Sequence, residues 1–129
     1  MRFVTGGAYQ GKAETACKLF GVKSDDIING SDCDMEKVFS AVCIRDYHRL
    51  VSRLMDRGDD PVEFTERLCC ENRECIIIMD EIGCGIVPMK KRERVYRENV
   101  GRCGCIIASE SDVVVRVICG IAEFLKGEV

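Results

Sequence analysis

The sequence predicts an α/β fold, a mainly parallel sheet with helices on both faces. Three observations carry this. Strand-like apolar runs alternate with helical patterns along the chain. One run, Cys75-Ile76-Ile77-Ile78-Met79, is apolar throughout, as suits a strand covered on both faces. A glycine-rich turn, Gly6-Gly7-Ala8-Tyr9-Gln10-Gly11-Lys12, lies between the first apolar run and the first helical pattern. That setting is the one a phosphate-cradling loop requires.

The elements follow in order. Arg2 to Thr5 reads as a short buried strand. A helix is expected from about Gly11 to Phe20, with Ala13, Ala16, Cys17 and Phe20 on one face and Gly21 as its stop. Asp26 to Asn29 reads as a second strand, broken by Gly30-Ser31-Asp32, after which Asp32 or Asp34 can cap a helix. That helix is predicted to be long, Met35 to Met55, because Val38, Val42, Tyr47, Leu50, Val51 and Leu54 recur at helical spacing. Asp60-Pro61 is a cap followed by a first-turn proline and opens a helix to about Cys70. Glu74 to Met79 is a strand, Gly83 to Pro88 a loop, and Lys90 to about Ala108 a helix. Val113 to Ile118 is the last strong strand, and Gly120 to Lys126 reads as a closing helix or turn. Without repeats or a linker, residues 1–129 are expected to form a single domain.

The loop carries the clearest chemistry. Gly6, Gly7 and Gly11 let the backbone curl so that successive amides converge on phosphate oxygens. The following helix adds the positive end of its dipole. Lys12 supplies a point charge for the β- and γ-phosphates. Residues Gly6 to Ala13 are therefore the expected nucleotide-binding stretch of a P-loop protein. The position after the lysine normally bears a Ser or Thr hydroxyl that ligates Mg²⁺, and here it is Ala13.

Composition bounds the rest. A net charge of -3 and a pI near 5.3 give no general attraction to nucleic acid or to an anionic membrane, so neither is an expected partner. No apolar run reaches the roughly 18 residues of a membrane span. A strand begins at once, without a signal-peptide pattern, so a cytoplasmic protein is expected. In that setting the ten cysteines read as reduced thiols, with Cys17, Cys43, Cys75 and Cys119 placed in the core. A metal site built on Cys103 and Cys105 with Cys69, Cys70 or Cys84 lacks the paired C-x₂-C spacing of zinc sites.

Other candidates depend on the loop for context. Asp80-Glu81 ends an apolar strand, where one carboxylate can hold Mg²⁺ and the other can orient a nucleophile; Asp80 is the metal candidate and Glu81 the catalytic one. His48 can serve as nucleophile or general base, yet its place inside a predicted helix reads more simply as a surface position. Arg94 and Arg97, in a basic stretch, are candidate anion-binding residues or part of a solvated helix face. The loop, Asn29-Gly30-Ser31 and Asp80-Glu81 all follow strands, so all are expected along one sheet edge.

Several segments resemble one family. Asp80-Glu81-Ile82-Gly83-Cys84-Gly85-Ile86-Val87-Pro88 looks like the N-E-V-G-x-G-I-V-P segment of the bifunctional adenosylcobinamide kinase / adenosylcobinamide-phosphate guanylyltransferase family. Arg94, Tyr96, Arg97, Glu98, Gly101 and Arg102 resemble its R-x-F-R-D-x-x-G-R pattern. Ser111-Asp112-Val113 and Cys119-Gly120-Ile121 resemble its ending, and Val4 to Lys12 its V-T-G-G-A-R-S-G-K start. The resemblance implies a RecA-like P-loop NTPase of cobalamin biosynthesis. Such an enzyme phosphorylates the corrinoid side-chain hydroxyl with GTP or ATP and then transfers GMP through a guanylylated histidine. It also implies a nucleoside triphosphate and a corrinoid as ligands, Mg²⁺ as cofactor, nucleotide contact by Asn29-Gly30-Ser31, and a homo-oligomer. The chain departs from the pattern in its shortened centre, in the absence of Arg-Pro after His48, and at Ala13 and Cys103-Gly104-Cys105. Those departures favour the alternative of a catalytically impaired paralogue that binds nucleotide or corrinoid as a module.

Overall fold

The computed structural model describes residues 1–82 and 90–128. The expected Gly83 to Pro88 loop lies outside the described residues, as does Cys84. The chain runs β1 (Arg2–Gly6), α1 (Lys12–Phe20), β2 (Ile27–Asn29), β3 (Cys43–Arg45), α2 (Tyr47–Asp56), α3 (Pro61–Glu71), β4 (Ile76–Asp80), α4 (Lys91–Glu110), β5 (Val113–Ile118) and β6 (Ile121–Lys126). Short 3₁₀ turns at Ser24–Asp26 and Met35–Ser40 precede β2 and β3. The sheet order is β2-β3-β4-β1-β5-β6, parallel except for the antiparallel β5–β6 pair.

Period-two alternation divides the core into two layers. Phe3, Ile77, Met79 and Val114 face one way and pack with Tyr47, Leu50 and Leu54 of α2, Leu68 of α3, and Val100 and Ile107 of α4. Val4, Ile76, Ile78, Val115 and Val117 face the other way, toward Ala13 and Ala16 of α1. Each of these strands is thus apolar on both faces, which is why Ile76 to Met79 reads as an unbroken run. In the α2–α3 layer, the fully buried Tyr47 hydroxyl is 2.8 Å from Thr65 Oγ1, which donates to the Pro61 carbonyl at 2.7 Å.

Two expected elements differ. The long helix from Met35 to Met55 is instead a 3₁₀ turn, the strand β3 and the helix α2. Two signals explain the break. Ala41-Val42-Cys43-Ile44 contains a β-branched stretch, and the neighbours Cys43 and Ile44 are both fully buried, one in each core layer, as a strand covered on both faces requires and a helical stripe does not. Asp46 then adopts a left-handed conformation (φ 52, ψ 44) that ends β3 and turns the chain into α2. The second difference is Gly120 to Lys126, which enters the edge strand β6. Cys119 and Gly120, at φ 51 and 76, form a two-residue hairpin turn of the primed type. Cys119 is therefore exposed rather than core.

Candidate phosphate-binding site

The loop joins β1 to α1. β1 ends at Gly6, whose φ of 151 and close approach to β5 leave no room for a side chain; an added Cβ would lie 2.5 Å from the Val117 carbonyl oxygen. Gly11 at φ 81 turns the chain into α1, which begins at Lys12 without a side-chain cap. Its first amides therefore lack intrahelical partners, as an anion site requires. Gln10 ties the loop to the β5–β6 turn, since its carbonyl accepts from Gly120 N–H at 2.9 Å and its side-chain oxygen from Cys119 N–H at 2.6 Å. Nothing in the local motif announces that brace.

Strand register brings the second half of the site to the loop. Gly6 stands opposite Asp80 in the β1–β4 pair. Lys12, only 8% exposed, lies with Nζ 2.6 Å from Asp80 Oδ1 and donates to the Gly7 carbonyl at 2.7 Å. Beside them opens a cleft of about 520 Å³ lined by Ala8 to Glu14, Arg45, Asp46, His48, Arg49, Ile78 and Asp80. That volume falls within the ordinary range for a small-molecule site.

His48 departs most from its expected place. It is 5% exposed, not a surface residue, and sits in the first turn of α2 facing Asp80. Its Nδ1 accepts the Asp80 backbone N–H at 3.2 Å, and Nε2 is 3.4 Å from Asp80 Oδ2. Because Nδ1 spends its lone pair on an amide, the neutral ring carries its proton on Nε2, toward the carboxylate. Burial lowers the His48 pKa below its usual value, with Asp80 and Asp46 opposing the shift. The ring is thus held neutral and proton-bearing against Asp80.

The other candidates lie apart. Glu81 pairs with Arg116 of β5, its Oε1 2.9 Å from Nε and its Oε2 accepting from Nη2 at 3.2 Å, and it does not line the cleft. Asn29-Gly30-Ser31 ends β2, three strand spacings from β1, or roughly 14 Å. The Asn29 side chain accepts from Ser31 N–H and Oγ. Ser31 borders a separate groove that also contains Arg92 and Tyr96 and meets the cleft only at His48 and Arg49. Arg94 and Arg97 line neither space. The cations that do enter the cleft besides Lys12 are Arg45 and Arg49, which a helix drawn through residues 35–55 conceals. Among the described residues the metal-capable cluster is Asp46, His48 and Asp80, with ligand atoms within 4.8 Å of one another, rather than any set of cysteines.

A family model described as cobinamide kinase / cobinamide phosphate guanyltransferase matches residues 41–125, about two thirds of the chain. The chain belongs to that family. The match takes in β3 and α2, the central region that the motif resemblance left out, and it begins downstream of the loop. Among curated proteins none matches the chain. Membership in the cobinamide kinase / cobinamide phosphate guanyltransferase family makes the fold a P-loop NTPase and brings cobalamin biosynthesis, nucleotide and cobinamide with it. Among the described residues no helix is long and apolar enough to cross a membrane.

Proposed function

We propose that the chain binds a nucleoside triphosphate in the Lys12 cleft and transfers its terminal phosphoryl group to a corrinoid side-chain hydroxyl. The observation that carries this is the convergence of the loop, Lys12 and Asp80 at one cleft mouth. The incoming phosphate draws the Lys12 ammonium from Asp80 to its own oxygens, where the charge stabilises the transferring group. Asp80 is then free to accept the proton of the attacking hydroxyl. The bond from the acceptor oxygen to phosphorus forms, the bond to the nucleoside diphosphate breaks, and the proton rests on Asp80. His48 holds the end of β4 through the Asp80 backbone N–H and keeps Nε2 3.4 Å from the second carboxylate oxygen. Glu81 is left out because it pairs with Arg116 away from the cleft, which it does not line.

Guanylyl transfer through His48 has less support. The lone pair of Nδ1 is spent on the Asp80 amide and Nε2 bears the proton, so neither nitrogen is poised as a nucleophile. Ala13 favours a second reading, a module that binds nucleotide or corrinoid without turnover. Incubation with radiolabelled ATP or GTP and adenosylcobinamide separates the two. Labelled corrinoid phosphate supports the kinase; bound nucleotide without product supports the module.

A further inference from the structure

P-loop chemistry ordinarily employs Mg²⁺, and the residues here do not fit it. The position that supplies the hydroxyl ligand is Ala13, whose methyl has no lone pair. The alternative set, Asp46, His48 and Asp80, is already committed. The His48 lone pair accepts an amide, Asp80 faces His48 with one oxygen and in the proposed transfer takes the hydroxyl proton with the other, and Asp46 Oδ2 lies 3.8 Å from Arg45 Nε. Protein cations stand in the same cleft instead. Lys12, Arg45 and Arg49 line it together; the Arg49 backbone N–H donates to the Asp46 carbonyl at 2.9 Å, and its exposed side chain makes no hydrogen bond or ion pair among the described residues. A guanidinium offers phosphate a two-pronged, charge-assisted contact that a metal would otherwise supply as a point charge.

We infer that the cleft takes the nucleoside triphosphate as the metal-free polyanion, with Arg49 beside Lys12 supplying the charge that a divalent ion usually provides. The inference rests on the proposed nucleotide site and adds its ligand form. In the cell most nucleoside triphosphate carries Mg²⁺, so the cleft would draw on the minor free form or strip the ion on binding.

The test is calorimetric titration of the full chain with ATP, GTP and pyrophosphate, first in excess EDTA and then in millimolar Mg²⁺. Binding in EDTA is expected to equal or exceed that in Mg²⁺. Arg49→Ala is expected to weaken binding in EDTA about tenfold, the loss of one charge-assisted contact, with an unchanged thermal midpoint. Ala13→Ser restores the hydroxyl and is expected to make binding tighter with Mg²⁺ than without it. Wild-type binding that appears only with Mg²⁺, or an Arg49→Ala variant that binds as well as wild type, overturns the inference and leaves the nucleotide site standing. No binding in either buffer overturns the nucleotide site together with the inference.

Discussion

Lys12 and Asp80 form a close ion pair, 2.6 Å between Nζ and Oδ1, at the spot where a nucleotide's phosphates would compete for the lysine. The pair closes because β1 and β4 are neighbours in register, with Gly6 opposite Asp80. It links the loop to the strand end that bears the candidate base, so in the proposed transfer phosphate binding would also uncover the base.

Asp80→Asn removes the competitor while keeping the side chain's shape. It leaves a mostly buried ammonium with weaker partners, so stability is expected to fall by about 1–2 kcal/mol in urea unfolding. Pyrophosphate affinity is expected to rise several-fold, and saturating pyrophosphate to restore most of the lost thermal midpoint. Phosphoryl transfer should be lost with it. A variant that binds pyrophosphate more weakly than wild type would contradict the competition.

His48 gives a pH signature. Burial lowers its folded-state pKa from 6.5, so the unfolded chain takes up the proton first as the medium acidifies. Its contribution is therefore full above about pH 6.5 and is lost as pH falls from there through the lowered folded value. Denaturant midpoints between pH 7 and about 5 should decline for wild type and decline less for His48→Gln. Equal slopes would show that the ring is not held neutral against Asp80.

Gly6 tests the loop's anchorage. Any side chain there meets the Val117 carbonyl oxygen at 2.5 Å and must hold a φ that L residues avoid. Gly6→Ala is expected to cost about 3 kcal/mol, read from chemical unfolding, and to weaken phosphate binding because the β1–loop junction shifts. Gly101, with no atom near its would-be Cβ and its place inside α4, is the contrasting site, where Ala should be neutral or stabilising.

The cysteines sort by environment. Burial raises the thiols of Cys43 and Cys75 to about 12 and that of Cys69 to about 11, and Cys103 is raised and fully buried. Cys70, Cys105 and Cys119 are exposed. Brief alkylation of the native protein at pH 8, followed by peptide mass spectrometry, should mark the exposed three and spare the buried four. Rapid labelling of Cys43 or Cys75 would show an open core.

Much of this was legible where one local rule dominates. The loop, α1, α3, β4, α4 and β5 announce themselves through a glycine pattern, an Asp60-Pro61 start or an apolar run. The stretch from Met35 to Met55 misleads because Val38, Leu50, Val51 and Leu54 all end up buried, so a helical spacing survives although a strand interrupts it. The left-handed turn at Asp46, which no residue pattern announces, then resets the chain into α2. The cost of missing β3 falls on the site itself: Arg45, Asp46, His48 and Arg49 reach the cleft only because β3 ends there. The β6 strand escapes notice because an edge strand with exposed Ile121, Phe124 and Leu125 lacks alternation, and its turn residue Cys119 is not a usual choice for positive φ.

The most direct measurement is titration calorimetry of ATP, GTP and pyrophosphate into the wild-type chain and into Lys12→Ala. Saturable binding of at least one phosphate ligand by wild type is expected at up to millimolar concentration, with its loss on removing the Lys12 ammonium. Silence from wild type with all three ligands, or undiminished binding by Lys12→Ala, would contradict a phosphate site built on this loop.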